Sequence, residues 1–190
     1  MEPNYHLLRR SVHILGLQAT LVYYALPSTI FFSPLDKNYV MLVALICIME
    51  FEYIRVTKKW EIPGLRGYER YRFSAVLWSA IGLFICYLIC PYFIGIPVVV
   101  AAAWVDPLMG ELRRKNCRFT YLLGFPVYFL IFLLSLIYLS SFPLPELVIL
   151  SFTAASVGII CEAWKNYYLD DNFLLLTFPG IAVLCLLRIL

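Results

Sequence analysis

FTYLLGFPVYFLIFLLSLIYLSSF, Phe119 to Phe142, contains no acid, no lysine, no arginine and no histidine. Crossing the ~30 Å hydrocarbon core of a bilayer takes roughly 20 helical residues. A helix is also one of the few structures that satisfies its own backbone polar groups in lipid. The stretch therefore reads as a membrane-spanning helix, and it sets the solvent for its neighbours. Outward from it, apolar runs recur at about Ser11–Phe32, Tyr39–Ile54, Phe73–Cys90, Tyr92–Met109, Glu146–Trp164 and Phe173–Ile189. The second of these is short. Little more than Pro91 separates Phe73–Cys90 from Tyr92–Met109, which predicts a tight hairpin. Pro97 and Pro179–Gly180 are candidate kinks, which membrane helices tolerate when neighbours satisfy the freed carbonyls.

The composition agrees with this reading. Hydrophobic residues make up 63% of the chain and charged residues 14%, against about 25% charged in soluble domains. The expected fold class is all-α: a polytopic transmembrane helical bundle of about seven spans, with residues 1–190 forming one integral-membrane domain. The opening MEPNYHLLRRSVHILG lacks the small-residue cleavage site of a secretory signal and is expected to stay in the mature protein. The six cysteines show neither zinc spacing nor a disulfide framework. Cys86 and Cys90 share a helix face and read as packing residues. There is no Walker loop and no nucleophile elbow.

The basic residues give the orientation. In a seven-span chain, Arg9, Arg10, the group from Arg55 to Arg72, the group from Arg113 to Arg118, and Lys165 all fall on one side. Only Lys37 and Arg188 of the 15 Lys and Arg fall on the other. The N-terminus is therefore expected in the cytoplasm, and six or eight spans would break the pattern. His13, Glu50, Glu52, Glu61, Glu69, Asp106, Glu111, Glu162, Asp170 and Asp171 map to the same side, leaving Asp36 and Glu146 outside. Ionisable residues at membrane depth are costly and usually face a protein interior or a wet cavity, so these helix ends are expected to meet.

Each polar position also has a plain structural account. Arg9 and Arg10 precede His13 by four and three residues, so one or both share its helix face. They are either snorkelling arginines beside an interfacial histidine, or a cationic site with His13 as proton carrier. Glu52 and Arg55 are spaced to pair across one helical turn, with or without a site role. Asp106 follows the small run Ala101–Ala103 and precedes Pro107. It is either the N-cap of a short helix or a pocket-lining carboxylate beside the basic loop. Arg113, Arg114, Lys115 and Arg118 suit lipid headgroups or nucleotide phosphates. In CEAWKNYYLDDN, Cys161 to Asn172, Asn172 is a plausible N-cap for the last span. That would release Asp170 and Asp171 to neutralise a hard cation that bridges phosphate oxygens.

Taken together, Arg10-x-x-His13, Glu52-x-x-Arg55, Val105-Asp106-Pro107-Leu108-Met109, and Glu162 with Asp170-Asp171-Asn172 resemble the CTP-dependent lipid kinases. That family includes dolichol (polyprenol) kinase, the fungal-type diacylglycerol kinase and phytol kinase. The pieces run through nearly the whole chain in the family's order. Three departures mark a divergent member. Val105 stands where the family has glycine, and Arg113-Arg114 stands where it has Gly-Arg, keeping the arginine and losing the glycine. The Lys-Ser/Thr-x-Glu-Gly segment that opens the next span is absent from CRFTYLLGFPVYF, leaving Lys115 or Arg118 as substitutes for its lysine.

The resemblance implies phosphoryl transfer from CTP or another nucleoside triphosphate to the hydroxyl of an isoprenoid or glycerolipid alcohol at the cytoplasmic face. On that basis His13, Asp106 and Asp171 are the expected catalytic residues, with His13 as general base. Mg²⁺ is expected on Asp106, Asp170 and Asp171. The nucleotide is expected on Arg10, Arg55, Arg113, Arg114, Lys115 and Asn172. The implied location is the plasma membrane or an ER-type membrane, and the implied partners are a membrane lipid and a nucleotide. Nucleic acid is not implicated, and a homo-oligomer is compatible with the sequence. Two other readings stay open: a CTP-dependent lipid cytidylyltransferase, and a non-catalytic membrane scaffold or small transporter. Gathering of charge at one face disfavours transport, which typically places polar residues near the midplane.

Overall fold

The computed structural model describes residues 5–27, 36–60, 62, 65, 67–164 and 169–189, and for residues 5–9, 67 and 68 the backbone alone. Glu61, Arg66 and Lys165, and the far end of the first expected span, lie outside the described residues, as does the side chain of Arg9. In chain order the helices are α1 (Tyr5–Ala19), α2 (Val22–Ala25), α3 (Lys37–Lys58), α4 (Ala75–Ile89), α5 (Tyr92–Arg114), α6 (Thr120–Leu139), α7 (Leu144–Ala163) and α8 (Asp171–Leu187), with a 3₁₀ turn at Gly67–Tyr71. The described chain is all-α. Among the described residues three helices, α5, α6 and α7, are long and apolar enough to cross a membrane. The helices α4 and α8 are apolar but shorter.

Helices α5, α6, α7 and α8 pack in a ring, each against the next and α8 back against α5. Outside the ring α1 lies on α5, α4 on α8, and α3 on α4. The centre is dry: Ile94, Val98, Tyr128, Phe132, Leu136, Leu150 and Val183 are fully buried. Ala101, Ala102 and Ala103 are also buried, and they give α5 a slim waist where three helices crowd it. The expected hairpin at Pro91 forms, with Pro91 capping α5, but its arms then diverge. Helix α5 joins the ring, while α4 turns to α8.

Glycines set two close approaches. A Cβ on Gly82 would lie 3.1 Å from the Leu176 side chain and 3.3 Å from the Phe173 backbone, which brings α4 and α8 nearly into backbone contact. At Gly158 a Cβ would come within 2.6 Å of the fully buried Tyr128 ring. Gly158→Val must therefore displace that ring between α6 and α7. Overpacking of this kind costs about 1–3 kcal/mol, so the variant is expected to melt several degrees below the parent in detergent.

The first expected span is not one continuous helix. Helix α1 starts earlier, at Tyr5, and stops at Ala19; a turn at Thr20 and Leu21 leads into the short α2. The Thr20 hydroxyl bonds back to the Leu17 carbonyl at 2.6 Å and also meets the Tyr87 hydroxyl. Such back-bonding competes with the helical ladder and bends helices. Helix α3 outruns the expected Tyr39–Ile54. Asp36 caps it by accepting from the Asn38 amide at 3.0 Å. It continues to Lys58 because Glu52 and Arg55 neutralise each other inside it.

Candidate functional site

At one end of the ring, four helices, α1, α5, α7 and α8, supply charged side chains. Helix α1 runs antiparallel to α5, so advancing along one means retreating along the other. Arg10 pairs with Glu111, and one turn on, His13 Nε2 lies 3.5 Å from Asp106 Oδ2. Asp106 sits inside α5, with Pro107 also within the helix. The N-cap alternative for Asp106 is thereby removed, and its carboxylate lines the site.

Opposite α1, Arg113 Nη1 donates to Glu162 Oε1 at 2.5 Å. Glu162 is fully buried near the end of α7, whereas Arg113 is one-third exposed. A buried carboxylate without a cation beside it would be strongly destabilising. Arg113 therefore makes an acid in this position tolerable. Asp106, Glu162 and Asp171 each bring one carboxylate oxygen within 4.8 Å of the others. Three carboxylates at this spacing form a hard, all-oxygen donor set that suits Mg²⁺, which favours oxygen ligands and retains water. The donor set thus fits the expected cation, with one change of ligand.

The change concerns Asp170, which was expected to be a metal ligand with Asn172 as the cap. Asp170 takes the N-cap of α8 instead, and its Oδ1 accepts from the Asn172 amide at 3.1 Å and from Asn172 Nδ2 at 2.6 Å. Asn172 is buried and serves the cap as donor. Asp171 brings one carboxylate oxygen to the cluster, while Asp170 is held by Asn172 at the cap and its carboxyl also meets that of Asp171. Burial pushes the Asp170 pKa above the ordinary carboxylate value, and the Asp171 charge adds to the effect. Glu162 takes the third place in the cluster. Its sequence signal was a carboxylate inside an apolar span, and its ligand role was not read from the sequence. For the cap, Asp170→Ala is expected to cost about 1 kcal/mol while Asp170→Asn, an equally good cap, leaves the melting temperature near the parent's.

Of the residues expected to hold nucleotide, Arg113 reaches the cluster through Glu162, and Arg10 pairs with Glu111, further along α5 from Asp106. Arg114 and Lys115 lie at the cluster's exposed rim. Arg114 pairs with Glu111 at 2.8 Å, and Lys115 lies 3.9 Å from the same oxygen. Glu111 thus holds three cations, a role signalled only by its spacing of three and four residues from Arg114 and Lys115.

Arg55 is a correction. It is fully buried, and its Nε and Nη2 donate to the two oxygens of Glu52 at 2.8 Å each. Nη1 donates to the Glu69 carbonyl at 2.7 Å and Nη2 to the Arg72 carbonyl at 2.8 Å. Glu52 also accepts from the Ser74 amide at 2.8 Å. With every guanidinium nitrogen engaged, Arg55 ties the end of α3 to the start of α4 and has no face for phosphate.

A cavity of about 430 Å³ adjoins the cluster between α1, α3 and α4, and His13 lines it. Comparison of the chain with protein-family models, curated proteins and solved structures gives no match.

Proposed function

We propose that the protein is a membrane-embedded lipid kinase that transfers the γ-phosphoryl group of CTP, or of another nucleoside triphosphate, to a lipid hydroxyl. The chain would cross the membrane about seven times, with its N-terminus and charged cluster in the cytoplasm. One observation carries the reading: His13 from α1, Asp106 and Arg113 from α5, Glu162 from α7 and Asp171 from α8 meet at one end of the bundle beside an apolar cavity. Phosphoryl transfer needs little more than positioning and neutralisation of charge, and these side chains supply both.

In this reading Asp106, Glu162 and Asp171 hold Mg²⁺, which neutralises phosphate charge. Arg10, Arg113, Arg114 and Lys115 surround the phosphates. The alcohol oxygen attacks the γ-phosphorus, the bond to the β-phosphate oxygen breaks, and the nucleoside diphosphate leaves. His13 takes the hydroxyl proton, and Asp106, 3.5 Å away, stabilises the imidazolium that forms.

The test is an assay of the purified protein with labelled CTP, Mg²⁺ and a panel of prenols and diacylglycerol. Phospholipid and CDP are expected. A folded sample that makes no phospholipid across the panel would overturn the proposal. Pyrophosphate released from CTP and a phosphorylated lipid would identify a cytidylyltransferase instead. Absence of any nucleotide-dependent thermal shift would favour the scaffold.

A further inference from the structure

We infer that the cavity between α1, α3 and α4 holds a single apolar chain, entered sideways from the bilayer, with the chain's terminal hydroxyl at His13. The occupancy stands on the cavity itself; the fate of the hydroxyl rests on the kinase reading.

The packing leaves the space open. Helix α1 leans on α5, and α3 leans on α4, so the two outer helices stand apart with the cavity between them. The rim points to lipid rather than water. Val12 on α1 and Val76 on α4 line the cavity and are 59% and 57% exposed. Nearby outward residues, Leu15 on α1 and Ile46 on α3, are exposed and apolar too. The interior wall is mostly hydrocarbon, from Leu17, Ile48 and Leu83. Thr20, Glu69 and Ser79 add polar groups to the lining, and His13 alone belongs both to this wall and to the pair with Asp106. An apolar chain lying here would bring its polar end to the charged cluster.

The volume sets how much fits. An apolar cavity of about 150 Å³ accepts one benzene, roughly six carbons. By that scale, 430 Å³ accepts roughly seventeen carbons. That is one fatty chain or a short prenyl chain, and it is too little for the two chains of a diacylglycerol. The substrate class favoured is therefore a single-chain alcohol. Gly16 sets the width. It lines the cavity, and a Cβ added there would meet nothing within 4 Å. A larger side chain at Gly16 would grow into the chain's space and leave the α1–α5 contact alone.

The experiment uses the full chain in lipid nanodiscs and a farnesol analogue with a diazirine at its tail, photolysed without nucleotide. Label is expected on the peptides carrying Ile48 and Ala80. Free farnesol should compete, and farnesyl methyl ether and dioleoylglycerol should compete at least tenfold less well. Gly16→Phe should cut labelling at least tenfold while Gly16→Ala keeps it. Ala80→Phe, from the opposite wall, should repeat the loss should the first variant fold poorly. Labelling confined to the outer faces of α6 and α7 would overturn the inference. So would unchanged labelling in both phenylalanine variants, or equal competition by dioleoylglycerol or the methyl ether. Because no nucleotide is present, labelled cavity residues without phospholipid product in the kinase assay would defeat the kinase reading alone. Phosphorylation of diacylglycerol with no cavity labelling would defeat this inference alone.

Discussion

Asp171→Asn is expected to lower phosphoryl transfer by at least about 100-fold, while Asp170→Asn keeps it within a few-fold of the parent. The two aspartates are neighbours in sequence and differ in their partners. Asp171 lies within 4.8 Å of Asp106 and Glu162, so its removal takes one of three carboxylates from the proposed cation. Asp170 is bonded to Asn172 at the cap, and asparagine preserves that bond. The pair of variants also separates binding from chemistry. A cation that binds the folded state raises its melting temperature by mass action. Mg²⁺ is expected to raise the melting temperature of the parent and of Asp170→Asn, and to leave that of Asp171→Asn unmoved. If both asparagine variants lost activity equally, the cluster would have to include Asp170 after all. Equal retention by both would remove the carboxylates from the reaction.

The second large effect lies away from the cluster. Arg55→Met is expected to destabilise the protein by about 3–5 kcal/mol, the usual cost of breaking one side of a buried ion pair. The substitution leaves the Glu52 carboxylate buried without its counter-charge and the carbonyls of Glu69 and Arg72 without their donors. Melting in detergent reads this loss directly. The double variant Glu52→Leu/Arg55→Met should recover a substantial part of it, because apolar replacements for a whole buried pair are often tolerated. Recovery stays incomplete, since the Ser74 amide also loses its acceptor. Arg55→Lys is the discriminating case. A phosphate ligand changed to lysine would raise the KM for nucleotide and leave melting unchanged. A buried clamp changed to lysine loses its two-pronged grip on Glu52 and should melt early, with KM little altered in whatever fraction folds.

How far the sequence reached can be seen residue by residue. Uncharged runs longer than a bilayer's width leave a helix few alternatives, so the membrane character, the all-α class and α5, α6 and α7 were legible from hydropathy alone. Cost also made the meeting of charged helix ends legible, because isolated charges do not stay in lipid. His13, Asp106 and Asp171 were among the residues grouped on that ground, their roles being implied by the family resemblance, and the fold brings them to one place.

The sequence could not settle the division of labour among neighbouring polar residues. Asp170 and Asp171 are chemically identical and adjacent; which one caps α8 depends on where α7 leaves the chain and how α8 docks. Glu52 and Arg55 have the spacing of an ion pair in any helix. That the pair would be sealed under the corner between α3 and α4 depends on the 3₁₀ turn and the residue after it, which supply the carbonyls of Glu69 and Arg72. The cavity depends on α1 and α3 standing apart, and hydropathy gives no information about such a gap. Periodicity and solvent preference act within one helix, and the sequence carries them openly. Direction, enclosure and empty space arise between helices, and only their packing together decides them.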